Sequence, residues 1–215
     1  MARTVAPLLS FDAGGQIAKT QVYSRWKGRP YVRRYVVPAN PNSAEQQKTR
    51  NSFKWLMDAW KYWPAGALDA WNLYAASLQI TNRNAFAKQN VATLRDAATI
   101  SDLIISPSAR SGLVAQAMVL TVASGQITAT LTPPDLPNGW TVADSFALAI
   151  PQQDPQSEML FDIVSASDNT TPFAPVLTGL TNGTPYVVGG WFKFAKGDGS
   201  FAYGQSLQDE ATPTA

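Results

Sequence analysis

Cysteine and histidine are both absent from this 215-residue chain. Their absence removes disulfides, thiolate and imidazole metal ligands, cysteine nucleophiles and every histidine-based triad or general base. Charge is scarce as well. Asp, Glu, Lys and Arg make up 15% of the residues, against about 25% in an ordinary globular chain, so the surface must rely on Ser, Thr, Asn and Gln. No run approaches the roughly 18 consecutive apolar residues of a membrane-spanning helix, and Val5-Ala6-Pro7-Leu8-Leu9 is too short and too broken for a secretory apolar region. The expectation is a soluble protein made in the cytosol, with no membrane partner. What is present is a hydrophobic fraction of 45%, enough for one large or two small cores.

The sparse charge is unevenly placed. Up to Arg110 there are fifteen bases and six acids, and after it two bases and nine acids, so a formal net charge of +2 hides halves of +9 and −7. Such asymmetry bears on association rather than on fold. Five of the seven Trp also precede this point, while Gly-, Pro-, Thr- and Ser-rich turns dominate after it. The composition therefore predicts a linker near 106–112, dividing a basic domain, residues 1–110, from an acidic one, residues 111–215.

In the basic half, two Val-, Tyr- and Thr-containing runs between Gln16 and Val37 flank Lys27-Gly28, the pattern of a β-hairpin with a two-residue turn. That turn would pair Trp26 with Arg29, Ser24 with Tyr31, Val22 with Arg33 and Thr20 with Tyr35. Both faces then mix basic and apolar side chains and neither is dry, so a hairpin that is marginal in water needs outside support. Six bases and no acid fall between Lys19 and Arg34: Lys19, Arg25, Lys27, Arg29, Arg33 and Arg34. With Trp26, Tyr31 and Tyr35 they form the candidate partner-binding surface. Pro38-Ala39-Asn40-Pro41 is a stiff connector. Helices are predicted from Ser43, as N-cap, to about Trp63, from Leu68 to Leu78, and from Asn84 to Ala98. The first carries one stripe of Phe53, Leu56, Met57, Trp60 and Trp63 and a second of Trp55, Ala59 and Tyr62, so both sides need cover. Trp at helical spacing reads as core, with stacking on single-stranded nucleic acid as the alternative.

The order Gly14-Gly15, Tyr23, Trp26-Lys27-Gly28, Pro38-Ala39-Asn40-Pro41-Asn42-Ser43, Gln46-Gln47, Ala70-Trp71-Asn72 and Thr81-Asn82-Arg83 resembles the N-terminal module of a family of largely uncharacterised bacteriophage and prophage structural proteins. It spans about residues 14–90. The resemblance implies a virion component without a reaction and assigns no functional residue.

After Gly112 short runs recur at sandwich spacing: 113–122, 126–132, 145–150, 159–165, 173–178, 186–194 and 201–209. Gly179-Leu180-Thr181-Asn182-Gly183-Thr184-Pro185-Tyr186 resembles the corner before the sixth strand of fibronectin type III domains, and Ile127 to Pro134 resembles their second strand, with Leu131 where the core Trp is expected. The resemblance gives Leu180 and Tyr186 structural roles, the Tyr hydroxyl returning to upstream backbone. The fold class expected is thus an α+β N-terminal module, a β-hairpin plus about three helices, followed by an all-β immunoglobulin-like, fibronectin type III sandwich that folds alone from about Gly112. Its sixth strand alternates as a central strand with one face buried.

Chemistry is hard to find. The nearest carboxylate pairs, Asp209-Glu210 and Asp154 with Glu158, read as solvated acids, and Gly197-Asp198-Gly199-Ser200 reads as a hairpin turn rather than a phosphate loop. Oxygen-only Ca²⁺ binding at Asp168-Asn169 or Asp198 is a minor alternative. The expectation is no enzyme and no cofactor. The leading expectation for function is a bacteriophage virion structural protein, located on the virion after assembly in the host cytoplasm. Capsid decoration or head stabilisation comes first and a neck or tail component second. Its partners would be other virion proteins, the major capsid protein or a neck or tail protein, with many copies per particle. A nucleic-acid-binding protein and a glycan-binding spacer module are the rival classes, DNA contact being the less favoured partner.

Overall fold

A computed structural model describes residues 2–3, 14–26, 29–37, 39–40, 42–158 and 162–214. The chain forms two compact units, residues 1–42 and 43–215. The boundary expected near residue 110 is therefore corrected: the helices belong with the sandwich, and the small basic sheet stands as a unit of its own.

In the first unit, strands β1 (Ala2–Arg3), β2 (Gly15–Ile17), β3 (Gln21–Trp26) and β4 (Arg29–Arg34) form an antiparallel sheet in the order β1-β4-β3-β2. The expected pairs Trp26–Arg29, Ser24–Tyr31 and Val22–Arg33 are present. Thr20 and Tyr35 meet as well, the Tyr35 amide donating to the Thr20 carbonyl at 2.8 Å. The hairpin was expected to need support from outside itself, and within the unit two short flanking strands extend it, β1 on β4 and β2 on β3. The turn Lys27-Gly28 lies outside the described residues, as do Pro38 and Pro41.

The second unit has three layers. Helices α1 (Ala44–Ala59), α2 (Ala65–Leu78) and α3 (Asn82–Asp96) form the first, with a 3₁₀ turn at Trp60–Tyr62 continuing α1. Ser43 occupies the N-cap position of α1, but its hydroxyl makes no capping bond; at α3, Thr81 does, accepting from the Asn84 amide at 3.3 Å. The middle layer is the sheet β11-β10-β7-β8, with β12 also on β10: β7 (Thr141–Pro151), β8 (Val164–Asp168), β10 (Tyr186–Ala195), β11 (Phe201–Tyr203) and β12 (Leu207–Ala211). The outer layer is β5 (Ala117–Ala123), β6 (Gln126–Thr132) and β9 (Val176–Thr178), ordered β5-β6-β9. All pairs are antiparallel. With β11 and β12 taking successive stretches of β10 as one edge position, the order is three positions against four, that of an immunoglobulin-like sandwich of the fibronectin type III kind. Part of the expected strand 159–165 lies outside the described residues, and the expected seventh strand is split at Gly204–Ser206 into β11 and β12.

β10 is buried along nearly its whole length. Tyr186, Val188, Phe192 and Phe194 face the outer sheet, while Val187 and Trp191 join Leu148, Ile150 and the helices in one core. The expectation of a strand with one dry face is corrected: helices cover the face that a free sandwich would turn to water. Close approach is secured by glycine. A Cβ on Gly66 would stand 2.6 Å from the Phe146 ring, which stacks on Trp191 with centroids 5.5 Å apart, and a Cβ on Gly189 would meet Ile105 Cδ1 at 2.2 Å. Trp55, Trp63, Trp71, Phe86, Leu56 and Leu94 fill the helix side. The Trp residues expected as core are core in these three cases. Phe53 and Tyr62, one from each of the two stripes expected to need cover, are exposed.

The stretch expected to be a linker, 106–112, continues a seam between layers. Ile100, Leu103 and Ile105 just before it and Ala109 within it are buried, and the Ala109 and Tyr203 backbones exchange hydrogen bonds of 2.9 Å each. Among the described residues no helix is long and apolar enough to cross a membrane.

A fragment from Gly112 to Ala215 would expose Phe146, Leu148, Ile150, Val187 and Trp191 together, an apolar patch of the kind that drives association. We expect that fragment to aggregate or to unfold without cooperativity, whereas residues 43–215 unfold in a single cooperative denaturant transition. A monomeric, cooperatively folded 112–215 fragment in chemical denaturation would contradict this.

Candidate functional site

The basic sheet sorts its side chains by strand alternation. On one face lie Tyr23, Arg25 and, opposite them on β4, Pro30, Val32 and Arg34; on the other lie Trp26, Arg29, Tyr31 and Arg33. The structure thus brings four of the expected partner-binding residues onto one face and places Arg25 and Arg34 on its reverse. Lys19 was assigned to a strand face, but it sits in the turn that joins β2 to β3. Ala18 and Lys19 have φ of 46° and 54°, and the Thr20 amide and hydroxyl both donate to the Ile17 carbonyl at 2.9 Å. Tyr35 is half-buried beyond the end of β4, and Lys27 lies outside the described residues.

The core of this unit is one side chain deep. Tyr23 is its one buried residue among those described, 8% exposed, with its hydroxyl donating to Gln21 Oε1 at 3.1 Å. Trp26 is 67% exposed, and Ile17, Val36 and Val37 are exposed as well. Between Ala13 and Ser43 the sequence has six bases and no acid. A positive, aromatic-bearing sheet with so little interior presents most of its side chains to the surface. It can bind.

In the second unit several polar groups are buried and hydrogen-bonded. Tyr186 is fully buried; its hydroxyl accepts from the Thr181 amide at 3.1 Å and donates to Asp162 Oδ2 at 2.8 Å. Burial, with a smaller effect from Asp162, raises its pKa. Leu180 packs beside it, its amide donating to the Gly125 carbonyl at 3.0 Å. Both residues are buried, in one cluster with Ile127 and Leu177. The bond to Asp162 was not legible in the sequence, because it joins residues 24 apart. Sequence reasoning also missed Asn90, buried in α3, whose amide nitrogen donates to the Phe86 and Ile104 carbonyls and whose oxygen accepts from the Ile104 amide at 2.8 Å.

The acids considered for metal or catalysis are engaged locally. Asp168 accepts from the Thr170 hydroxyl and amide and from the Ala174 amide, and Asp198 from the Ser200 hydroxyl and amide. These bonds, the hydroxyl bonds foremost, hold both carboxyls below their ordinary range. Glu210 accepts from Ser101 and Gln152. Among the described residues no three acidic side chains converge as a metal site would require. Under α2, burial raises the pKa of Asp144, whose Oδ1 finds no partner among the described residues, and pushes Tyr203 up to about 12, with the charges of Asp69 and Asp144 adding to it.

No family model matches the chain, and no curated protein matches it. Among solved structures, one described as "Myokine structure" is similar at 12% identity and a TM-score of 0.36, over 49% of this chain and 100% of that one. A protein from a computer-based redesign of a β-sandwich is similar at 16% identity and a TM-score of 0.32, over 46% of this chain and 86% of that one. The class of the fold, a helix-covered immunoglobulin-like sandwich preceded by a small basic sheet, rests on its own strand order.

Two outcomes test these assignments. Tyr186→Phe removes one donor and one acceptor from a buried site and should cost about 1–2 kcal/mol in denaturant unfolding; an unchanged midpoint would remove the corner from the account. Because burial raises the folded-state pKa of Asp144 above its unfolded value, ionisation opposes folding. That penalty is fully present above the folded-state pKa and fades as pH falls to the unfolded value of about 3.9. Asp144→Asn should therefore raise the melting temperature at pH 7, and the gain should shrink toward zero below about pH 4.

Proposed function

We propose that this protein is a bacteriophage virion structural protein, most plainly a capsid decoration or head-stabilising protein. Its basic sheet docks on an acidic surface of the particle and its helix-covered sandwich is carried as the projecting body. The observation that supports this best is the basic sheet itself: a separate compact unit with seven bases and one acid in residues 1–42 and, among its described residues, a single buried side chain. A sheet with so thin a core gains stability when a partner covers it, and its charge steers the encounter. The resemblance of residues 14–90 to phage structural proteins points the same way. The partners in this reading are other virion proteins in many copies, the major capsid protein first and a neck or tail protein second, with assembly in the host cytoplasm. The chain is read as performing no catalysis and holding no cofactor.

DNA is the competing target, since six bases without an acid also suit phosphate. The two separate by salt. Phosphate binding through about 4–6 bases weakens with a log-log slope near −0.9 per contact, whereas a docked protein interface that buries Trp26 and Tyr31 persists at high salt. The reading is tested by reversing charge together at Arg25, Arg29, Arg33 and Arg34, each to Glu. The variant should be lost from purified particles while its melting transition stays that of the native protein. Retention on particles, or tight binding of the native protein to free DNA at physiological salt with none to empty shells, would end it.

A further inference from the structure

Sheet edges distinguish this sandwich. An edge strand offers unpaired backbone N–H and C=O groups to any strand that approaches, and natural proteins blunt such edges with charge, proline, bulges or short length. Three of the four edges here are blunted. β9 is three residues long, β8 ends in Asp168, and β12 carries Asp209 and Glu210. The fourth, β5, has none of these devices. It is seven residues of sequence AMVLTVA, without charge or proline, and it pairs with β6 through seven consecutive positions without a register shift. The surface continuing from it is equally plain. None of the ten outward positions of β5, β6 and β9 bears a charge, and Val119 on β5 is 60% exposed.

We propose that β5 is a self-association edge, pairing antiparallel with β5 of a second copy about a two-fold axis at Leu120. The strand is self-complementary in that register. Met118 would face Val122 of the other copy, and Val119 would face Thr121. Leu120 would face its own counterpart, so inward side chains meet inward ones and outward meet outward. The two three-stranded sheets would become one continuous sheet of six. No pair opposes like charges, which is the ordinary means of forbidding such a contact. Area decides how strong it is. Two seven-residue strands run together for about 24 Å, and edge pairing on that length covers well under the roughly 800 Å² per partner of a standard stable interface. The contact is therefore weak between free molecules and filled where copies are crowded together. It rests on the edge alone and is independent of what the basic sheet docks on.

Sedimentation of the full chain over concentration tests this. A reversible dimer should appear between about 10 µM and 1 mM, with amide exchange in β5 slowing as concentration rises. Val119→Lys with Thr121→Lys sets like charges opposite each other twice across the two-fold and should weaken association about tenfold or more. Val119→Lys with Thr121→Glu sets opposite charges there and should associate at least as well as the native chain. Both substitutions lie on an exposed face, and an unchanged melting temperature confirms that each variant folds. A native chain that stays monomeric to about 1 mM overturns the proposal. So does a Lys-Lys variant that dimerises as the native does, or a Lys-Glu variant that falls as far as the Lys-Lys one.

Discussion

One backbone carbonyl organises the larger unit. The Ile105 oxygen accepts from two indoles, Trp63 Nε1 at 3.2 Å and Trp71 Nε1 at 2.9 Å, both deep in the core. A buried indole N–H left without a partner costs about 1–3 kcal/mol, so satisfying two at one acceptor fixes how α1 and α2 meet the seam. The seam is itself anchored: the Ile105 and Ser106 amides both donate to Ser206 Oγ at 3.2 Å, and Ser206 returns its amide to the Ser106 carbonyl at 2.9 Å. On its other side Ile105 presses its side chain into the space that Gly189 leaves open. Helices, seam and central strand therefore converge on residue 105, and none can shift without stranding a polar group or opening a void.

From this clamp follows the division of the chain. A fibronectin-type sheet that is apolar on both faces needs two partners, and here it has them: the β5-β6-β9 sheet on one side and the helix layer on the other. The cooperative body therefore runs from Ser43 onward, and the small basic sheet falls outside it. Acids are held in two ways. Asp154, Asp168 and Asp198, in loops or at a strand end, accept from nearby amides and hydroxyls, while Glu45, Asp58 and Asp96 of the helices pair with Lys48, Lys61 and Arg95.

Local signals were well written in the sequence. Helical spacing and the Gly-Leu…Tyr corner each specify their element through residues close in the chain, and the double apolar stripe of α1 already announced that two sides needed cover. What covers them was not legible. The run Ile100 to Ala109 mixes Ser and Pro with its Ile and Leu, as a linker does, and its burial depends on strands about 100 residues later. The both-sided burial of β10 was hidden for the same reason: Gly189 reads as a neutral strand position until Ile105 is placed against it. At the basic sheet the pairing was legible from Lys27-Gly28 and alternation. The flanking strands were not, since two- and three-residue strands carry no periodicity.

The clamp also sets an order of events during synthesis. The indoles of Trp63 and Trp71 leave the ribosome soon followed by their acceptor at Ile105, but the strands that bury this group begin at Thr141 and end at Ala211. At about 5–20 residues per second, the interval from Ile105 to the last of these strands lasts several seconds to some twenty. Through that time the helices have their amphipathic faces but no sheet to lay them on. The nascent chain thus carries a cluster of uncovered tryptophans that only its own distal end can cover, which makes its yield in the cell a matter of translation speed and chaperone supply as much as of final stability.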